Sequence, residues 1–179
     1  MTRKDWGLLL LLIVVGGVTA ILNPRFLSGV NLLDMANLIG LFGIFSIGEG
    51  LVIITGGIDL SVGSMFSLLG VIFIDLLVNR GVPWPLAILA IVLGGVVLGA
   101  LQGLLVTKAK LQPFIVTLCG LLIYRGAARY YTTDATMGFG YTDDFDWLAW
   151  LASGRSWGIP HPFILLILVA VVMLSLIHI

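Results

Sequence analysis

Long apolar runs separated by short polar breaks dominate the chain. A membrane-spanning helix needs roughly 20 mainly apolar residues. Six segments fit that pattern, over about Trp6–Leu22, Asn31–Thr55, Leu60–Val78, Trp84–Thr107, Pro113–Tyr131 and Phe163–Met173. Their ends carry helix-breaking chemistry. Asn23-Pro24 stops the first, "NRGVPWP" follows the third, "KAKLQP" follows the fourth, and Pro113 is a good first-turn residue for the fifth. The pattern predicts an all-α fold, a polytopic transmembrane helix bundle. Between the last two helices lies a polar outer stretch, Thr132 to Pro162. Within it, "DDFDWLAWLASG" has an Asp start, apolar Phe145, Leu148 and Leu151, two Trp residues and a Gly stop at Gly154. That reads as a short amphipathic helix lying in the outer interface, or as an ordinary Trp belt with no partner.

Composition agrees. The chain is 60% hydrophobic and 10% charged, with a mean hydropathy of +1.17. Too little polar surface is available for a soluble fold. Formal net charge is zero, so no case exists for nucleic acid. The single cysteine, Cys119, sits in an apolar run and reads as packing. The start, "MTRKDWGLLLLLIVVGGVTAIL", also has features of a signal peptide. The hydrophobic segments that follow and the Trp6 anchor suit a retained helix better.

Lysine and arginine set orientation. With the N-terminus inside, the inner side carries Arg3, Lys4, Lys108 and Lys110, and the outer side Arg25, Arg80 and Arg155. Arg125 and Arg129 fall in the last turns of the fifth helix, and Asp134, Asp143, Asp144 and Asp146 in the outer stretch. The fourth helix holds "GGVVLGALQG", with Gly95, Gly99 and Gly103 spaced by four. Such a stripe lets helix backbones approach closely. Ala36 with Gly40, Ser46 with Gly50, and Gly16 with Ala20 repeat the spacing.

Ionisable groups at membrane depth are functional candidates by default. Glu49 lies seven residues before Gly56, roughly 10 Å in from that end, where it reads as lining a wet cavity. Arg125 lies roughly 20 Å in from the inner side, too different in depth for a simple pair with Glu49. Arg125 and Arg129 read as snorkelling outward. Asp75, one turn from Asn79, reads as solvated at an outer end. Gln102 is placed to hydrogen-bond a neighbouring helix.

The stretch "TGGIDLSVGS", Thr55 to Ser64, interrupts two apolar runs with a Gly pair, one Asp and two Ser. Gly56-Gly57 lets the chain leave helical dihedrals cheaply. Asp59 then sits where its carboxylate accepts from free N–H groups at the next helix start. This is a break and restart. It is either a plain two-helix turn or a discontinuity lining a cavity, where irregular backbone is tolerated at depth.

These residues resemble a known family. Thr55, Gly56, Gly57, Ile58, Asp59, Leu60, Ser61, Val62, Gly63 and Ser64 resemble the signature of the ribose-type sugar permeases, membrane subunits of bacterial ABC importers for ribose, xylose, arabinose, galactose and related molecules. "NPRFLSGVNLLDMAN" and "GALQGLLVTKAKLQPFIVTLCGLLIYRGAARYY" extend the likeness over about Phe26 to Tyr131, with weaker agreement at "WGIPHPF". Two departures occur. Cys119-Gly120 stands where the family usually has Gly-Thr or similar, and "TTDATMG" stands where it often has "TGG". Both put the particular sugar in doubt.

The resemblance implies a protein about twice this length with about ten helices, of which residues 1–173 are the N-terminal part and 132–162 a periplasmic loop. The last six residues, Leu174 to Ile179, "LSLIHI", resemble the translation of a transposase adapter used in sequencing libraries. They read as a scar that leaves His178 without a role. The alternative is a natural short chain ending in an apolar helix.

The resemblance further implies a multi-pass inner-membrane permease subunit that performs no chemistry. It binds no cofactor or metal, ATP and Mg belonging to a partner ATPase. Its expected partners are a second permease subunit, as homodimer or heterodimer, a cytoplasmic ATP-binding cassette protein, a periplasmic sugar-binding protein and membrane lipid. The expected translocation path uses Glu49, Thr55, Asp59, Ser61, Ser64 and Gln102. Two other readings are open: a permease of the same superfamily for a nucleoside or branched-chain amino acid, and a secondary transporter working without ATP.

Overall fold

The computed structural model describes residues 3–140 and 143–178. Seven helices account for nearly all regular structure: α1 Arg3–Leu22, α2 Gly29–Ile54, α3 Val62–Ile74, α4 Trp84–Thr107, α5 Pro113–Thr132, α6 Asp146–Ser153 and α7 His161–His178. The all-α expectation holds. Three stretches are long and apolar enough to cross a membrane: Gly29–Ile54, Val62–Asn79 and Trp84–Thr107. The apolar parts of α1 and α7 are shorter. In α5, Arg125 and Arg129 dilute an otherwise apolar helix. The side chains of Arg3, Lys4, Asp143 and His178, and all of Ile179, lie outside the described residues.

The chain divides into two compact units, residues 45–145 and residues 1–44 with 146–179. In the first, α3 packs most extensively on α5, with α4 against both. Leu69 of α3 enters the space left by Gly94 and Gly95 of α4, 3.1 and 3.5 Å from where their Cβ atoms would be. Among the described residues, nothing beyond α4's own adjacent backbone lies within 4 Å of that position at Gly99 or Gly103.

The far end of α3 corrects one expectation. Asp75 is not solvated; it is only 9% exposed. The helix widens there into a π-turn, Asp75–Asn79, with Arg80 N–H donating to the Asp75 carbonyl at 3.0 Å. Asp75 carboxylate oxygens accept from Asn79 Nδ2 at 2.8 Å, Arg80 Nε at 2.6 Å and the Tyr131 hydroxyl at 2.6 Å. Arg80 Nη2 also donates to the Tyr131 oxygen, at 3.1 Å. A buried carboxylate needs such partners, and together they tie the end of α3 to the end of α5. Arg129 does more than snorkel: it pairs with Asp134 just beyond α5 and holds that carboxyl below its ordinary range.

In the second unit, α2 touches the start of α7 backbone to backbone. A Cβ on Gly40 would lie 2.3 Å from the Pro162 carbonyl carbon, so only glycine permits the approach. The expected amphipathic helix forms as α6. A hairpin that the hydrophobic pattern did not reveal follows it, pairing Arg155–Ser156 with Ile159–Pro160. Its tip, Trp157-Gly158, has positive φ at both residues (52° and 79°), the signature of the twist-compatible two-residue turn. His161 Nδ1 donates to the Trp150 carbonyl at 2.9 Å, so its Nε2 accepts from the Ser156 hydroxyl at 2.8 Å. Arg155 also pairs with Asp34 of α2 at 3.1 Å.

Two substitutions test these contacts in the native gene product. Gly40→Val should lower stability by about 1–3 kcal/mol or prevent assembly, read as thermal unfolding in detergent. Tyr131→Phe should cost about 0.5–2 kcal/mol by removing a donor to Asp75. An unchanged melting temperature in either variant contradicts the packing described.

Candidate functional site

The interruption between α2 and α3 is built from the residues that the sequence singled out. Gly56 turns the chain at a φ of 79°, which ends α2. The next helix begins at Val62, two residues later than the pattern predicts, with Ser61 as its N-cap. The Ser61 side chain does not cap that helix. Asp59 organises the restart instead. Its Oδ1 accepts from the Ser61 N–H at 2.7 Å and from the Ser61 hydroxyl at 2.7 Å. The Ser64 hydroxyl donates back to the Ser61 carbonyl at 2.8 Å. Asp59 therefore closes an Asx-type turn one step before the helix.

Proton accounting fixes the next contact. Ser61 is fully buried, with no exposed surface. A hydroxyl has one hydrogen to give, and the 2.7 Å contact places it on Asp59. Ser61 Oγ then accepts from Gln102 Nε2 of α4 at 2.9 Å. Gln102 is itself 8% exposed, and Tyr124 of α5 interacts with it. Gly120 of α5 makes the room: a Cβ there would stand 2.3 Å from Gln102 Nε2 and 3.2 Å from Ser61 Cβ. From α5, the Thr117 hydroxyl is shared between the Ile58 carbonyl at 3.1 Å and the Pro113 carbonyl of its own helix at 3.0 Å. The break is thus held by α4 through an amide and by α5 through a hydroxyl.

A cleft of about 450 Å³ opens beside this break. Thr55, Asp59 and Gln102 line it, as do Gly99 and Gly103 of the glycine stripe. Ser61 and Ser64 are not part of the lining. Glu49 is half-buried on α2 and is not part of the lining, although the Asp59 charge reaches it. Among the described residues the ion pairs are Arg80–Asp75, Arg129–Asp134 and Arg155–Asp34, so Glu49 and Arg125 do not pair. Thr107 and Thr117 complete the polar lining. Sequence reading passed over both. A threonine in an apolar helix was the available signal, but helical threonines commonly bond their own backbone. Among the described residues Asp59 is the sole charged one of the lining; Lys108 and Lys110 lie beyond it in the α4–α5 connection.

Comparison with known proteins gives this arrangement a class. The family model described as "Branched-chain amino acid transport system / permease component" matches residues 31–178, and the chain belongs to that family of transport permeases. Within it the chain is of the ribose-type ABC permease kind. Ribose import permease protein RbsC of Escherichia coli is 34% identical over 154 residues, covering 86% of this chain and 48% of that protein. The RbsC protein of Bacillus subtilis is 38% identical over 176 residues, covering 96% and 51%. The galactofuranose transporter permease protein YtfT of Escherichia coli is 34% identical over 136 residues, covering 76% and 38%. The chain spans about half the length of the ribose permeases it matches. No solved structure matches it.

The contact at Gly120 makes a quantitative prediction. Gly120→Ala should destabilise the native gene product by about 1–3 kcal/mol. In a Gln102→Ala background the same change should be close to neutral, a coupling of about 0.5–3 kcal/mol between the two positions. Additive losses in thermal unfolding would show that the two do not share this space.

Proposed function

We propose that the chain builds part of the solute path of a bacterial ABC importer for a monosaccharide. The protein is an integral permease, and this reading adds the solute and the assembly around it. A periplasmic binding protein delivers the sugar, and a second permease subunit completes the path. A cytoplasmic ATP-binding partner holds ATP and Mg and performs the hydrolysis. The chain lies in the inner membrane with its N-terminus inside, which puts the Thr55–Ser64 break at the cytoplasmic end of α2 and α3. The path is exposed to one side at a time as ATP binding and hydrolysis shift the populations of its conformations.

One observation carries the solute class: among the described residues, the polar side chains of the otherwise largely apolar cleft are three threonine hydroxyls, one amide and one carboxylate, without a lysine, arginine or histidine. A sugar needs directional hydrogen bonds and no counter-ion. The family description favours a second reading, a branched-chain amino acid permease. An amino acid brings a carboxylate that needs a cation or free N–H groups; Asp59 suits its ammonium group, but among the described residues no lining side chain is a cation for its carboxylate.

Uptake separates the readings. The native gene product, reconstituted with its ATP-binding subunit and binding protein, should accumulate labelled D-ribose and not L-leucine. Accumulation should stop when ATP is withheld. Leucine uptake would replace the sugar reading, and ribose uptake that persists without the ATP-binding subunit would place the protein among secondary transporters.

A further inference from the structure

Resting on the reading of the cleft as part of a sugar path, we propose that Asp59 determines specificity by dividing the work of its two carboxylate oxygens. Oδ1 builds the wall, and Oδ2 receives a hydroxyl of the neutral solute.

The division follows from counting donors and acceptors. Oδ1 takes both the N–H and the hydroxyl of Ser61, at 2.7 Å each. A carboxylate offers about four lone-pair sites, and these two bonds fill one oxygen. Oδ2 takes no hydrogen bond among the described residues. Asp59 is half-buried and lines the cleft, so its second oxygen calls for a donor that the cleft itself does not supply.

Every hydroxyl hydrogen around the cleft is already committed. Thr55 donates to the Val52 carbonyl at 2.7 Å, and Thr107 to the Gly103 carbonyl at 2.7 Å. Thr117 donates to the Ile58 or Pro113 carbonyl, at 3.1 and 3.0 Å. Gln102 gives an N–H to Ser61. What remains among the side chains of the cleft is acceptor capacity: Oδ2 of Asp59 and the lone pairs of the threonine oxygens. Side chains with committed hydroxyl hydrogens and a spare carboxylate oxygen favour a solute that brings donors. A polyol with several hydroxyls fits. A sugar phosphate or sugar acid brings acceptors and negative charge, and is turned away by the same oxygen.

The test uses a substitution that keeps one oxygen's work and removes the other's. In Asp59→Asn the amide oxygen still accepts from Ser61, while an NH₂ group replaces Oδ2, turning an acceptor into a donor. The native gene product is reconstituted with its partners, and D-ribose uptake is measured beside ATP hydrolysis driven by the ribose-loaded binding protein. The expected result is uptake reduced about tenfold or more with ATP hydrolysis retained, because the wall and its helix contacts stand. Uptake unchanged in the variant overturns the role of Oδ2. A parallel fall in uptake and hydrolysis also overturns it, and assigns Asp59 to the wall alone.

Competition on the unsubstituted protein provides a check that does not depend on folding of the variant. Deoxyribose should pass about tenfold more slowly than ribose when the missing hydroxyl is the one Oδ2 receives. Equal rates across the singly deoxygenated series overturn the proposal. Absence of any ribose uptake by the unsubstituted protein would instead fail the sugar-path reading itself.

Discussion

A break between two helices frees backbone N–H and C=O groups, and hydrocarbon cannot satisfy any that it meets. The segment from Thr55 to Ser64 therefore needs internal partners, and it finds them in three places. Asp59 takes the Ser61 N–H, the Thr117 hydroxyl of α5 is shared between the Ile58 and Pro113 carbonyls, and Gln102 of α4 anchors the Ser61 side chain. The packing of α3, α4 and α5 in this unit is arranged around those bonds. Gly120 has no side chain where a methyl group would meet the Gln102 amide.

The opposite end of α3 solves a related problem with the other sign of emphasis. There a carboxylate, not a backbone group, is taken from water, and Asn79, Arg80 and Tyr131 surround it. The π-turn accompanies this arrangement and places Asp75 and Arg80 five residues apart on one hydrogen-bonded ring. Both ends of α3 are thereby fastened to α5, one through Thr117 and one through Tyr131. A helix held at both ends by polar bonds, with Leu69 seated on α4 between them, makes a firm wall for the neighbouring cleft.

That cleft is largely apolar, with a few polar and nearly uncharged side chains, a character compatible with the proposed path for neutral, hydroxyl-rich solutes. Its side chains are few, and most of their hydrogens are spent locally on backbone carbonyls. The remaining chemical character is set by one residue, Asp59, because it has more acceptor capacity than the turn consumes. Gly99 and Gly103 widen the cleft instead of receiving a neighbouring helix of this chain.

Much of this was legible before any coordinates. Apolar runs of the right length and their breakers gave the helices and the all-α class, because lipid imposes length and polarity directly on the sequence. The Gly pair, Asp59 and the two serines marked the break, and the family likeness rested on those same residues. The amphipathic pattern after Asp143 gave α6. The sequence did not reveal where long-range partners come from. Asp75 looked solvated because its Tyr131 partner lies 56 positions away. Thr117 looked like a self-bonded helical threonine, and the hairpin tip at Trp157 lacks the usual turn residue in its first position. Sequence by itself determined which segments form apolar helices and where the backbone must break, since both depend on local polarity and dihedral freedom. Tertiary structure alone decided which helices hold that break, because Gln102 reaches Ser61 across 41 positions and Tyr131 reaches Asp75 across 56, and such partners meet only when distant helices pack.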